Sequence, residues 1–179
     1  MSEETKLSEL HPHDMGKYYL FTDIDNFLSA DFLFFMDKIN KYVKKGDYVD
    51  IHINSPGGSA FDGFTMYDAI RKSKHYTRTY IHGSVGSAAT LLSVAANERI
   101  IDRNSLFMLH QHSSYGGGKM HEKEGERKVD KFVYDKMVDI YAKNSDLTKK
   151  QVKEILLGPS DLYLTANEAK NYGLVDKVV

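Results

Sequence analysis

Residues 82–92 read HGSVGSAATLL. Two glycines and two serines lead into an apolar run without a charged residue, and TRTYIHGS at 77–84 reads as the strand before it. A second turn of the same kind, INSPGGS at 53–59, follows YVDIHI, where Val49, Ile51 and Ile53 alternate onto one side. Each glycine turn ends a predicted strand and opens a predicted helix. The first N–H groups of a helix lack intrahelical partners, so both turns favour an anion or a developing negative charge.

Toward the N-terminus, KYYLFT at 17–22 has the character of a short strand after a polar arm over residues 1–16. Ser29 is read as the cap of a helix running to Lys44, with Phe32, Phe35, Met36, Ile39 and Val43 on one apolar face. Leu33 and Phe34 fall off that face and point to a subunit contact. Ser59 with Asp62, Thr148 with Gln151, and Thr165 with Glu168 read as capping boxes, and Gly173 suits a helix C′ position. ERIID and SLFMLH read as strands and SSYGGGK as a glycine-rich excursion. A long helix over 119–142 has a charged first half and an apolar set of Val129, Phe132, Val133, Met137, Ile140 and Tyr141. Strands alternating with helices through short links predict a mixed α/β domain.

The 179 residues suit one domain, and their net charge of −1 gives no nucleic-acid footprint. Small molecules, proteins or peptides are the expected partners. With no cysteine, disulfides, thiolate metal sites and cysteine nucleophiles are excluded. No stretch approaches the ~20 apolar residues of a membrane span, so the expectation is a soluble, cytoplasmic protein that does not engage membranes.

Three chemistries compete for the glycine turns. Phosphate binding finds neither a P-loop lysine nor G-x-G-x-x-G spacing. A metal would need His110 and His112 with a carboxylate, and no acidic cluster lies near them in sequence. Acyl transfer needs a nucleophile beside two N–H donors. Ser87 stands in that position, with the Ala88 N–H next to it and Gly57 or Gly58 in the other turn as the second donor; the alternative is a plain N-cap, a reading that applies to Ser84 as well. A serine hydroxyl requires a base oriented by a carboxylate. His110 ends an apolar strand, and Asp161 stands at a turn-to-strand junction after Gly158 and Pro159, where a side chain is expected to be fixed rather than solvated. The order Ser, His, Asp and the absence of G-x-S-x-G set the chain apart from α/β-hydrolases.

INSPGGS, GSVGSAA, FMLHQ and DLYLTANEAKNYGLVDKV, in this order, resemble the Clp protease proteolytic subunit (ClpP) family from about Lys17 to Val178. The resemblance implies a spiral of β-β-α units shared with crotonases, residues 17–179 as one peptidase domain, and a protruding handle strand and helix over about 111–142. It implies a serine endopeptidase acting on unfolded or flexible polypeptide, with Ser87 as nucleophile, His110 as base, Asp161 as its orienter and Gly57 or Gly58 with Ala88 as oxyanion hole. No cofactor and no metal are implied. A homo-oligomeric ring, a heptamer in the family, is the implied assembly. Three departures mark a divergent, phage-type form: Ala88 follows the serine, His112 follows Gln111 in place of a proline, and Ser160 precedes Asp161 in place of an arginine. Ser160 leaves ring stacking open, and a polar N-terminal arm without the family's axial-loop stretch leaves a Clp-type ATPase partner open. A crotonase-like acyl-CoA enzyme and a non-catalytic ring or assembly protein are the other readings of the same fold.

Overall fold

The computed structural model describes residues 16–42, 47–111 and 120–179. The arm over 1–15, Val43, His112 and the glycine-rich part of the handle lie outside the described residues. The elements are β1 (Lys17–Leu20), α1 (Asn26–Tyr42), β2 (Tyr48–Ser55), α2 (Ala60–Arg71), β3 (Tyr76–Gly86), α3 (Ala88–Ala95), β4 (Glu98–Ile101), β5 (Leu106–Leu109), α4 (Met120–Lys143), α5 (Lys149–Leu156), β6 (Leu162–Thr165), α6 (Ala166–Asn171) and β7 (Lys177–Val178).

β1, β2, β3, β4 and β7 lie side by side and parallel. Val49, Ile51, Ile53 and Ile81 are fully buried on the face that meets the helices, as their alternation predicts. β3 is the longest strand and changes partners along its length. Arg78–Ile81 pairs with β4, whereas Ser84–Gly86 pairs with β5, also parallel. β6 returns antiparallel on β5. α3 is buried at every position, from Ala88 to Ala95, which explains its lack of charge.

Several local expectations need correction. Ser29 lies inside α1, whose first turn is instead capped by Asp25: its Oδ1 accepts from the Leu28 N–H at 2.8 Å. Ser29 Oγ donates across to Asp62 Oδ1 at 2.5 Å. Ser59 accepts from the Asp62 N–H, but its own N–H goes to the Ile24 carbonyl, so this capping box is half made. The strand before Ser87 runs through HGSVG to Gly86, because β5 supplies it with a second neighbour. Along α4, Val133, Met137 and Tyr141 are buried as expected, joined by Val138, but Val129 and Phe132 are about half exposed. The boxes at Thr148 and Thr165 are complete, and Gly173 takes φ 68° one residue past the α6 cap.

Candidate active site

Strand register brings the separated residues together. Gly86 is level with Met108 across the parallel β3–β5 pair, so Ser87 and His110 leave the sheet at the same end. Leu109 is level with Leu162 across the antiparallel β5–β6 pair, so His110 and Asp161 follow as neighbours. Ser55 is level with Val85, which lays Gly57 against the Ser87 turn. The Gly57 turn, Ser87 and His110 follow the C-terminal ends of the parallel strands β2, β3 and β5, a common location for sites in α/β sheets, and Asp161 joins them from the start of the antiparallel β6.

Ser87 occupies the N-cap position of α3, but its side chain makes no capping bond. The plain-cap reading therefore gives way. Its Oγ lies 2.7 Å from His110 Nε2, within the reach of proton transfer. Ser87 has φ 50° and ψ −129° and is the one non-glycine residue with positive φ among the described residues. That backbone turns the side chain away from the helix cap and toward β5. The Ser87 N–H is held by the Met108 carbonyl at 3.1 Å.

Asp161 lies on the far side of the imidazole, with Oδ1 4.0 Å from His110 Nδ1, longer than a direct hydrogen bond. Its side chain is 49% exposed against 24% for His110. The expectation of a fixed, unsolvated carboxylate is thus corrected: Asp161 precedes β6 at the open rim of the sheet.

The two glycines differ. The Gly57 N–H donates to Ser55 Oγ at 3.2 Å and its carbonyl accepts from the Ile24 N–H at 2.7 Å. That leaves the Gly58 amide as the donor available on this turn. The Ala88 N–H begins α3 and has no intrahelical acceptor. Glycine is required at both positions: with φ 105°, a Cβ on Gly57 would lie 2.7 Å from Ser87 Cβ, and with φ 144°, one on Gly58 would lie 2.2 Å from the Ile24 carbonyl oxygen.

A cavity of about 270 Å³ opens beside the Ser87 hydroxyl, with Phe61, Leu91 and Met137 as its apolar walls. Sequence periodicity assigned Met137 to the core and did not single out Phe61 or Leu91. A larger cavity of about 500 Å³ lies elsewhere, around Arg99 and Asp146. Its Arg99 is already committed to Asp176 and to the carbonyls of Asn144 and Gly173, and neither Ser87 nor His110 borders it. The smaller cavity is the one bordered by both Ser87 and His110. Among the described residues no group of three or more His, Asp or Glu side chains is arranged to hold a metal ion; His112, half of the alternative metal pair, lies outside them. No helix of the described residues is long and apolar enough to cross a membrane.

Thr90 carries no sequence expectation, and helical spacing reads Tyr141 only as part of the apolar set of α4. Thr90 Oγ1 bonds the Ser87 carbonyl at 2.6 Å, and the Tyr141 hydroxyl lies 2.6 Å from Thr90 Oγ1. Burial pushes the Tyr141 phenol well above its ordinary range and keeps it neutral. The visible signal was a threonine three residues past the candidate nucleophile.

A family model described as Clp protease matches residues 21–179. The chain belongs to the Clp protease family. It is 31% identical over 133 residues to the ATP-dependent Clp protease proteolytic subunit of Deinococcus radiodurans, covering 73% of this chain and 64% of that one. It is 32% identical over 146 residues to ATP-dependent Clp protease proteolytic subunit 1 of Streptomyces avermitilis, covering 73% of this chain and 60% of that one. The matched region spans less than two thirds of the length of these curated relatives. A solved point mutant of ClpP1 from Listeria monocytogenes superposes with a TM-score of 0.83 at 25% identity, covering 98% of this chain and 94% of that one. The fold of this divergent Clp protease family member is therefore the ClpP spiral, a mixed α/β fold on a parallel sheet.

Proposed function

We propose that the chain is a serine endopeptidase that hydrolyses unfolded or flexible polypeptide, with residues 17–179 acting as one peptidase domain. The observation that carries the reading is the Ser87 Oγ to His110 Nε2 contact of 2.7 Å on a strained turn at a helix start. In the proposed reaction Ser87 Oγ attacks the peptide carbonyl carbon as its proton passes to His110 Nε2. The carbonyl oxygen becomes an oxyanion facing the Gly58 and Ala88 N–H groups. Collapse expels the amine, which takes the proton back from His110, and leaves an acyl-Ser87 ester. Water, deprotonated by His110, then releases the acid and restores the hydroxyl.

Asp161 acts in this scheme from the rim, favouring the imidazole orientation that aims Nε2 at Ser87. The apolar cavity receives a substrate side chain. An acyl-CoA enzyme of the crotonase type would leave the hydroxyl–imidazole contact without a part, so that reading is not favoured. Assembly is proposed as a homo-oligomeric ring of seven copies in the cytoplasm, and the two curated relatives, named as ATP-dependent, make a Clp-type ATPase the partner to assay.

The test is covalent labelling with a fluorophosphonate, followed by peptide mapping, on protein sized by native mass measurement. Labelling at Ser87 and hydrolysis of unstructured peptides are expected. In Ser87→Ala, labelling should vanish and kcat should fall on the order of 10⁶-fold. Retained hydrolysis in that variant would overturn the reading.

A further inference from the structure

The Ser87 carbonyl accepts two bonds from one residue: the Thr90 N–H at 3.0 Å and the Thr90 hydroxyl at 2.6 Å. A carbonyl can only accept, so the single Thr90 hydroxyl hydrogen is spent there. The Tyr141 hydroxyl, 2.6 Å from Thr90 Oγ1, must then donate to it. The direction of the chain is fixed as Tyr141 O–H to Thr90 O–H to the Ser87 carbonyl. Thr90 and Tyr141 are both fully buried, so neither hydroxyl has water as a substitute partner.

That carbonyl belongs to the same planar peptide as the Ala88 N–H. Holding the oxygen end therefore aims the hydrogen end, and donation to the oxygen also polarises the N–H. The preceding residue has the positive φ of 50°, a conformation that persists only when its surroundings over-determine it. We infer that Thr90 and Tyr141 are positioning residues that lock the Ser87–Ala88 peptide and aim the Ala88 N–H at the oxyanion. The inference rests on the peptidase reading. Tyr141 belongs to α4, 51 residues from Thr90 in sequence, so the long helix sets the oxyanion donor without touching substrate through this residue.

The experiment compares Tyr141→Phe, Thr90→Val and Thr90→Ser with the full chain. For Tyr141→Phe and Thr90→Val, kcat is expected to drop about 10- to 100-fold. KM should change little, because the donor acts on the transition state rather than on bound substrate. Affinity for a peptide boronate, whose tetrahedral adduct mimics the oxyanion, should fall with kcat. Binding of the uncleaved peptide in a Ser87→Ala background should not. Thr90→Ser, which keeps the hydroxyl, should recover most of the activity. Unchanged kcat in both hydroxyl-removing variants, or equal losses in boronate and uncleaved-peptide binding, would overturn the inference. If Thr90→Val does not fold, Tyr141→Phe and Thr90→Ser decide it. Activity surviving in Ser87→Ala is a separate outcome, which would remove the peptidase reading itself.

Discussion

At Asp161 the distances already rank the contributions within the site. Ser87 and His110 are in direct contact, whereas Asp161 stands 4.0 Å from the imidazole and is half in water. A solvated carboxylate holds its partner less firmly than a buried one, because water competes for it and screens it. Asp161→Asn should therefore lower kcat by less than about 10⁴-fold, well short of the loss expected from Ser87→Ala. Steady-state hydrolysis of one peptide by both variants checks this. Equal losses would mean that Asp161 closes onto His110 when substrate binds.

At the scale of elements, the site depends on how closely two turns approach. The β2–α2 turn lies so near the β3–α3 turn that a Cβ on Gly57 would stand 2.7 Å from both the Gly86 carbonyl oxygen and Ser87 Cβ. These atoms are backbone or directly attached to it, and they cannot swing aside. Gly57→Ala should cost about 1–3 kcal/mol of stability from strain at positive φ alone, and should displace Ser87 as the turns part. Chemical denaturation, together with the fluorophosphonate labelling rate, reads both effects. Wild-type stability and labelling in this variant would refute the account. The half-made box at Ser59 belongs to the same packing: Asp62 serves Ser29 and the Ser59 N–H serves Ile24, which ties α1 and the β1–α1 loop to the turn.

Across the whole molecule, the sheet face away from the helices carries an aromatic row in register on three strands. The His52 ring stacks between Tyr19 and Tyr80 at 4.6 and 4.9 Å. His52 Nδ1 lies 2.9 Å from His82 Nε2, and His82 Nδ1 lies 2.7 Å from Asp102. Burial, then the neighbouring His82, hold the His52 pKa below its ordinary value; Asp50 opposes this, and Lys17 and Arg78 add to it weakly. An unfolded chain regains a proton on this histidine near pH ~6.5, before the folded one does. Below that pH the unfolded state holds more protons, so folding stability should decline as pH falls toward the folded His52 pKa and level off beneath it. Urea denaturation between pH 7 and 5 should show a shallower decline for His52→Gln than for the unchanged chain. Identical slopes would mean that His52 contributes nothing.

Local pattern along the chain was enough for the order of elements up to α6, the buried face of β2, the wholly apolar α3, two of the three capping boxes and the family. Each of these is written in local periodicity, in cap chemistry or in short ordered motifs. It also nominated Ser87, His110 and Asp161, but it could not say how far apart they stand. Only the packed chain shows that Ser87 faces His110 rather than capping α3, that Gly57 is committed to Ser55 while Gly58 is left free, that Asp161 stays at the rim, and that Thr90 and Tyr141 stand behind the Ser87 carbonyl. Each of these depends on strand register and helix packing across tens of residues, and a pattern of neighbours along the chain holds no measure of distance in space.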